Sequence, residues 1–322
     1  MEKFKILSLK EELQLSQKEL LIYYSKLREY LLMTPHESLT NGSLTVCKRI
    51  NPIVRETLKK LCGYQIITLS SDNIKGLDGI YAHTHQSKCD HINLIATNPN
   101  HTIMLNSSVL SNFYKLVLLI NGVVYVDKRD KVSREKAKLE LIRLLLQDKG
   151  ITMFPESAWN LSPNKLHLPL YVGVTEIAKI TGKPIIPVVQ EYIYNDQKRD
   201  GIERVEEVYV EYGTPILVNE TDNIFEKLEE YSTAIATMRW NLIEQKGKYM
   251  RNGISNYEYI NFVEGCKRNL KNAGIDIEVE TQGLFGANDE FYKFHHINAL
   301  DYDTDGNFLE PLYVRTLKKK LK

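Results

Sequence analysis

Residues 79–91 read Gly-Ile-Tyr-Ala-His-Thr-His-Gln-Ser-Lys-Cys-Asp-His, and this segment indicates how the rest of the chain folds. Residues 79–83 have the composition of a short buried strand, and helical sequence begins near residue 91. A strand that leads into a helix through a polar turn is typical of a layered α/β domain. Such domains carry functional side chains at the carboxyl ends of their strands, so we expect a site in this turn.

Short apolar segments alternate with helical ones along most of the chain. Six further strands are predicted, at residues 66–69, 102–105, 123–126, 151–154, 184–189 and 205–212. Helices are predicted near residues 91–97, 108–120, 132–147, 170–181 and 221–246. Most of these connections have the length that parallel strand pairing requires. We therefore predict an α/β fold with a mostly parallel sheet that is covered by helices on both faces.

Different sequence patterns flank this α/β region. Residues 16–33 have helical periodicity with Ser16 as the N-cap, and a second amphipathic helix is predicted at residues 52–62. From residue 248 onwards, a helix near residues 256–270 is followed by β-like, turn-rich sequence. We predict an N-terminal helical segment at residues 1–65, an α/β domain at 66–247, and a small C-terminal α+β extension at 248–322.

Composition restricts the partners and the location of the protein. There are 42 Lys and Arg residues against 41 Asp and Glu residues, so no overall positive field favours nucleic acid as a partner. The four cysteines lack paired spacing, which favours a reducing compartment, and the sequence shows no secretion signal and no apolar run of about 20 residues. We expect a cytoplasmic protein whose contact with a membrane, if any, is peripheral and on the inner face.

Two features can serve a peripheral contact with lipid. One is the apolar face of the predicted helix at residues 16–33, and the other is the basic tail at residues 318–322. The helix face can instead pack on the sheet domain, and we expect this second arrangement for it.

The turn after the strand at residues 79–83 contains a candidate general base. His85 lies in the turn and Asp90 follows five residues later, in the first turn of the predicted helix. The two side chains can meet through Nδ1–H and the carboxylate, which fixes the imidazole tautomer and leaves Nε2 to accept a proton. The same spacing also fits a histidine that is merely capped and packed.

Three further segments follow this pair in order. Residues 122–129 read Gly-Val-Val-Tyr-Val-Asp-Lys-Arg, residues 154–159 read Phe-Pro-Glu-Ser-Ala-Trp, and residues 184–188 read Pro-Ile-Ile-Pro-Val. Together with His-x4-Asp, these blocks resemble the glycerolipid acyltransferase family of the lysophosphatidate-acyltransferase type. The ordered set covers roughly residues 79–190 and is a much stronger signal than any one block.

The resemblance implies a reaction and a set of site residues. It implies transfer of a fatty acyl group from acyl-CoA or acyl carrier protein to a hydroxyl of a lysophospholipid-like or other polyol acceptor, with no metal or other cofactor. His85 and Asp90 are the implied catalytic residues. The implied substrate-binding residues are Gly122, Asp127, Lys128, Arg129, Phe154, Pro155, Glu156, Ser157, Trp159 and Pro187. Structural roles are at least as compatible with Gly122 and Pro187.

The positive charge near the second block is local. Lys128 and Arg129 follow the predicted strand at residues 123–126 and can hold a phosphate, whereas Arg134, Lys136 and Lys138 fit a solvated helix face. The family has Gly-Thr-Arg where this chain has Ser157, Ala158 and Trp159, and it has Arg where this chain has Lys128. An aromatic residue therefore replaces the arginine that helps to grip an acceptor phosphate, and it can stack on a sugar ring or line an acyl groove.

Other interpretations of the same residues stay open. His83, His85, Asp90 and His91 contain the ligand types of a zinc-dependent hydrolase, although the spacing differs from that of metallo-β-lactamases. Cys89 can be a nucleophile or a small packing residue. A catalytically idle binding module with the same fold would have lost His85 or Asp90, and both are present. For the acyltransferase, backbone N–H groups at residues 156–158 are candidate oxyanion donors.

Overall fold

The computed structural model describes residues 4–35, 63–74, 76–86, 90–97, 101–106, 123–127, 130–157, 166–199 and 202–245. Seven strands lie within these ranges: β1 (Gln65–Leu69), β2 (Ile80–His83), β3 (His101–Asn106), β4 (Val124–Val126), β5 (Gly150–Met153), β6 (Ile185–Arg199) and β7 (Ile202–Tyr212). The helices of these ranges are α1 (Leu9–Glu12), α2 (Gln17–Met33), α3 (Asp90–Thr97), α4 (Lys131–Leu146), α5 (Gly173–Thr181), α6 (Ile224–Gln245) and a 3-10 helix at Ser71–Ile74. The helices predicted at 52–62 and 108–120, and the extension at 248–322, fall outside the described residues.

The strands form one sheet in the order β1-β7-β6-β2-β5-β3-β4. The pairs β6–β2, β2–β5, β5–β3 and β3–β4 are parallel, whereas β6 and β7 are antiparallel. β1 runs parallel to β7 and therefore opposite to the other five strands. The prediction of a mostly parallel sheet is confirmed, and the carboxyl ends of β6, β2, β5, β3 and β4 lie along one edge.

Helices cover both faces of the sheet, as predicted. Ile185 and Val189 belong to a core that also contains residues of α2, α4, α5 and α6. Ile186 and Val188 point to the opposite face, because side chains alternate along a strand, and they belong to a second cluster. The 3-10 helix packs against that second cluster, and α3 contacts β1 and β7.

Helix α2 is part of the same core. It begins with the predicted Ser16 N-cap, whose hydroxyl and backbone form a reciprocal capping box with Glu19. Tyr24, Leu27 and Leu31 are buried in the core with residues of the sheet. The central part of this apolar face therefore packs on the α/β domain, as expected, whereas Leu32 at its end is 54% exposed.

Strand β6 continues well past the predicted end at residue 189. It reaches Arg199 and pairs with β7 as a long antiparallel hairpin with register irregularities after Ile193 and Asn195. The longer strand matters for the site because it carries Gln190 and Tyr192 beyond the last residue of β2. Among the described helices, none combines the length and the apolar composition needed to cross a membrane.

Candidate active site

The predicted contact between His85 and Asp90 is present. His85 follows β2 by two residues and Asp90 is the first residue of α3, so both lie at the carboxyl edge of the parallel strands. His85 Nδ1 is 2.8 Å from Asp90 Oδ2, and the same oxygen accepts the backbone N–H of Gln86 at 2.6 Å. The Asp90 side chain is fully buried, whereas 12% of the His85 side chain is exposed. A carboxylate on Nδ1 places the ring proton there and makes Nε2 the basic nitrogen.

The second carboxylate oxygen of Asp90 has a partner that sequence reasoning missed. The hydroxyl of Tyr192, on β6, donates to Asp90 Oδ1. The amide nitrogen of Asn93 donates to Tyr192 Oη and to Gln190 Oε1, both at 2.9 Å. Asp90 is therefore held on both oxygens, by the turn after β2 on one side and by β6 on the other.

Phe154 packs directly on the catalytic candidate. Its ring is stacked on the His85 imidazole with centroids 4.2 Å apart and an interplanar angle of 27°. Pro155, the next residue, is buried, and its carbonyl accepts the backbone N–H of Tyr171 at 2.9 Å. The Phe154 ring therefore forms a wall of the site next to His85.

Glu156 lies beneath the His85 turn, and the substrate contact that the resemblance implied for it stays a prediction. Its side chain is fully buried, and its two oxygens accept the backbone N–H groups of His85 and Leu168, each at 2.7 Å. Burial raises the pKa of Glu156 to about 8, against the opposing effects of these N–H groups and of Arg239. This geometry ties the end of β5 to the turn after β2.

Ser157, the residue after Glu156, stands where the family has glycine, and its backbone conformation is one that glycine adopts readily. Ser157 has φ of 55°, in the left-handed region, and its backbone N–H donates to the carbonyl of Phe154 at 2.9 Å. The N–H of Ser157 therefore closes this turn, which counts against the expectation that it is an oxyanion donor. Ala158 and Trp159 lie outside the described residues.

The second block is described only in part. Asp127 follows β4, and its backbone N–H donates to Ser133 Oγ at 2.9 Å. Gly122, Lys128 and Arg129 lie outside the described residues. In α4, Arg134 and Lys136 are exposed, as predicted for a solvated face. The prediction was wrong for Lys138, which turns inward because it forms a 3.0 Å ion pair with Glu176 on α5.

Pro187 is buried near the start of the inner strand β6, opposite Ala82 of β2. The pairing of β6 with β7 starts only at Val188, and the Pro187 carbonyl accepts the N–H of Gly213 just past the end of β7. The missing N–H of the proline therefore falls where no β7 strand partner needs it. Its place at a strand end supports the structural role.

The geometry of the histidines disfavours the zinc interpretation. His83 is fully buried with its ring centroid 5.8 Å from that of Phe154, and both carboxylate oxygens of Asp90 are engaged in hydrogen bonds with His85, Gln86 and Tyr192. No group of three or more His, Cys, Asp or Glu side chains is arranged to hold a metal ion within the part of the chain that the structure describes. Cys89 lies outside that part.

Comparisons with known proteins find similarity to acyltransferases. The acyltransferase family model matches residues 66–191. A 1-acyl-sn-glycerol-3-phosphate acyltransferase of Borreliella burgdorferi is 28% identical over 138 residues, which cover 42% of this chain and 53% of that protein. Residues 66–191 are thus similar to the acyltransferase family. The match spans only about half the length of this curated relative.

The region matched by the acyltransferase family model begins in β1 and ends within β6. It contains the His85–Asp90 pair and Glu156, and it ends one residue before Tyr192. A solved structure, that of the 1-acyl-sn-glycerophosphate (LPA) acyltransferase PlsC of Thermotoga maritima, is 15% identical with a TM-score of 0.49, covering 69% of this chain and 88% of that chain.

Proposed function

We propose that this protein is an O-acyltransferase that moves a fatty acyl group from a thioester donor to a hydroxyl of a glycerolipid. The observation that carries the proposal is the His85–Asp90 pair, with its 2.8 Å contact, a buried carboxylate and a partly exposed imidazole at the carboxyl edge of the sheet. The printed name of the Borreliella burgdorferi relative supports the glycerolipid as acceptor class.

The proposed reaction uses His85 as the general base in a direct transfer. The acceptor oxygen attacks the thioester carbonyl carbon while its proton moves to Nε2 of His85, and Asp90 stabilises the resulting imidazolium. The tetrahedral intermediate then collapses, the carbon–sulfur bond breaks, and the leaving thiolate takes the proton from His85. The products are an ester and a thiol, so neither a metal nor a covalent enzyme intermediate is needed.

Phe154 and Glu156 prepare His85 for this role. The stacked Phe154 ring restricts rotation of the imidazole, and its face also attracts the positive charge that forms on the ring. Glu156 fixes the backbone of the His85 turn through its 2.7 Å bond to the His85 N–H. A base held in this way loses less entropy when it meets the acceptor hydroxyl.

The specific acyl donor and acceptor are proposed on the basis of the resemblance to the family. The donor is acyl-CoA or acyl carrier protein. Lys128 and Arg129 are proposed to bind a phosphate of the donor or of the acceptor. The acceptor is a 1-acylglycerol-3-phosphate-like lysophospholipid or another polyol. Trp159 stands where the family has an arginine, so we expect a weaker demand for an acceptor phosphate than in a strict lysophosphatidate enzyme.

A panel of acceptors tests the proposal. Purified protein is mixed with acyl-CoA or acyl carrier protein thioester, and thiol release and ester formation are followed with lysophosphatidate, a neutral monoacylglycerol, a soluble polyol, or water alone. We expect thiol release that depends on a lyso-glycerolipid acceptor and equals the ester formed, and a His85→Gln blank that lacks both. Thiol release at the same rate without any acceptor would make the protein a thioesterase and overturn the proposal.

A further inference from the structure

The hydroxyl of Tyr192 has a direction that the surrounding amides determine. Asn93 Oδ1 accepts the hydroxyl of Tyr64 at 2.9 Å, so its Nδ2 must donate, and it donates at 2.9 Å to Tyr192 Oη. Because Tyr192 Oη accepts this bond, its own proton points to Asp90 Oδ1. Tyr192 is 6% exposed, and Asp90 and Asn93 are fully buried, so water does not compete readily for these bonds.

Gln190 holds the same side of the dyad. Its Oε1 accepts from Asn93 Nδ2 at 2.9 Å, and its Nε2 donates to the backbone carbonyl of Asp90 at 3.3 Å. Gln190 and Tyr192 are two residues apart on β6 and therefore project from the same face of the sheet, towards α3. The first turn of α3 is thus attached to β6 by side-chain bonds, of which the Tyr192 bond ends on the catalytic carboxylate and the Gln190 bonds end on the Asp90 backbone carbonyl and on Asn93.

We propose that Tyr192 is a positioning residue of the acyl-transfer site, which holds Asp90 in register with His85 and withdraws part of the carboxylate's negative charge. The inference rests on the proposed function and deepens it. Without the tyrosine O–H, Asp90 still meets His85 Nδ1 and the Gln86 N–H through Oδ2, but its position is less restricted and the carboxylate keeps its full charge. A full charge stabilises the protonated imidazole, which cannot act as a base at the start of the reaction.

Other titratable groups lie close to this pair. The charge of Asp90 acts to raise the pKa of Glu156, at the end of β5, and that of His91, in α3. Arg239 of α6 acts on Glu156. Since Tyr192→Phe changes none of these groups, a shift in the titration of His85 in that variant is attributable to the lost hydroxyl.

The experiment compares the wild type with Tyr192→Phe by two readouts. The first is the NMR titration of the His85 ring in histidine-labelled protein, which needs no substrate. The second is the pH profile of kcat in the acyl-transfer assay. We expect the His85 titration and the acid limb of kcat to move together to higher pH by about half a unit or more, and kcat at its plateau to fall about 10-fold with a smaller change in KM.

A matched control is Tyr212→Phe. Tyr212 is also a buried tyrosine of the sheet, and its hydroxyl shares a 2.7 Å hydrogen bond with Thr97 of the same helix α3, away from the dyad. This variant should lose stability without moving either pH profile. If Tyr192→Phe does not fold, Asn93→Ala serves instead, since it removes the donor that directs the Tyr192 hydroxyl, and we expect a smaller shift in the same direction.

The outcomes separate this inference from the proposed function. A His85 titration that stays in place or moves to lower pH in the tyrosine variant overturns the positioning role. A shift to higher pH that Tyr212→Phe reproduces also overturns it, since the effect is then not specific. If the His85 titration moves as expected but the wild type transfers no acyl group, the proposed function fails while the assignment of Tyr192 to the dyad stands.

Discussion

Replacement of Glu156 by leucine should damage both the stability of the fold and the activity of the site. In the wild type the backbone nitrogens of His85 and Leu168 are each 2.7 Å from a carboxylate oxygen of Glu156. Leucine has a similar size but no acceptor atoms, so both N–H groups lose their partners in the variant. Glu156 is fully buried, and water cannot replace it at either N–H without rearrangement.

The expected size follows from these two bonds. An unsatisfied buried donor costs about 1–3 kcal/mol, so Glu156→Leu should lower the free energy of unfolding by about 2–6 kcal/mol. Glu156→Gln is the graded comparison, because its single carbonyl oxygen can satisfy one of the two N–H groups, and it should lose less. We further expect kcat of the leucine variant to fall about 10-fold or more, because the His85 turn loses an anchor that sets the position of the base.

Urea unfolding and steady-state acyl transfer measure the two effects on the same samples. Glu140→Leu provides the control for activity, since Glu140 is also buried and pairs with Arg143 at 2.5 Å on α4, where Arg143 binds the carbonyl of Leu31. That variant should lose stability but keep kcat at a temperature where it is folded. If Glu156→Leu unfolds with the same free energy as the wild type, the bonds assigned to Glu156 contribute nothing and the reasoning is wrong.

Three further outcomes are expected. Ser157→Gly should raise the melting temperature, because Ser157 has φ of 55° and relief of this left-handed strain contributes about 1–2 kcal/mol. The greater flexibility of glycine in the unfolded chain costs only about 0.5–1 kcal/mol. A lower melting temperature by calorimetry would count against strain in this turn. Because burial raises the pKa of Glu156 from 4.5 to about 8, the folded state binds its proton more tightly, and the free energy of unfolding should fall as pH rises through this interval. Denaturant titrations of Glu156→Gln should show a flatter dependence, and an unchanged slope would contradict the shift. If the basic tail contributes to membrane binding, removal of residues 318–322 should weaken flotation with anionic vesicles at low salt. Equal flotation of the full-length and the shortened protein would show that the tail does not contribute.

Much of the sheet could be predicted from sequence because its strands have clear local signals. Five predicted strands, those that became β1 to β5, agree with the observed ones to within one residue at each end. The end of β6 was missed, since Gln190 and Glu191 interrupt the apolar run that the prediction followed. The pair Asp200-Gly201, which is typical of a tight hairpin turn, was the signal that could have extended β6 and β7 towards each other.

The local part of the site was predictable and the distant part was not. His85 and Asp90 are five residues apart, so the turn alone brings them together. Tyr192 is 102 residues from Asp90, and Glu156 is 71 residues from His85. These contacts depend on which strands are neighbours of β2 and on their register, and periodicity within one segment does not contain that information.

The central claim is that His85 is the base of an acyl transfer, and the most direct test is the turnover of the His85→Ala variant. Acceptor-dependent ester formation is measured for the wild type, His85→Ala and Asp90→Asn, with circular dichroism and melting temperature recorded for each protein. We expect His85→Ala to be folded and without detectable transfer, and Asp90→Asn to be slower by about 10³–10⁴, because the ring tautomer is no longer enforced. A folded His85→Ala protein that forms ester at the wild-type rate would contradict the account.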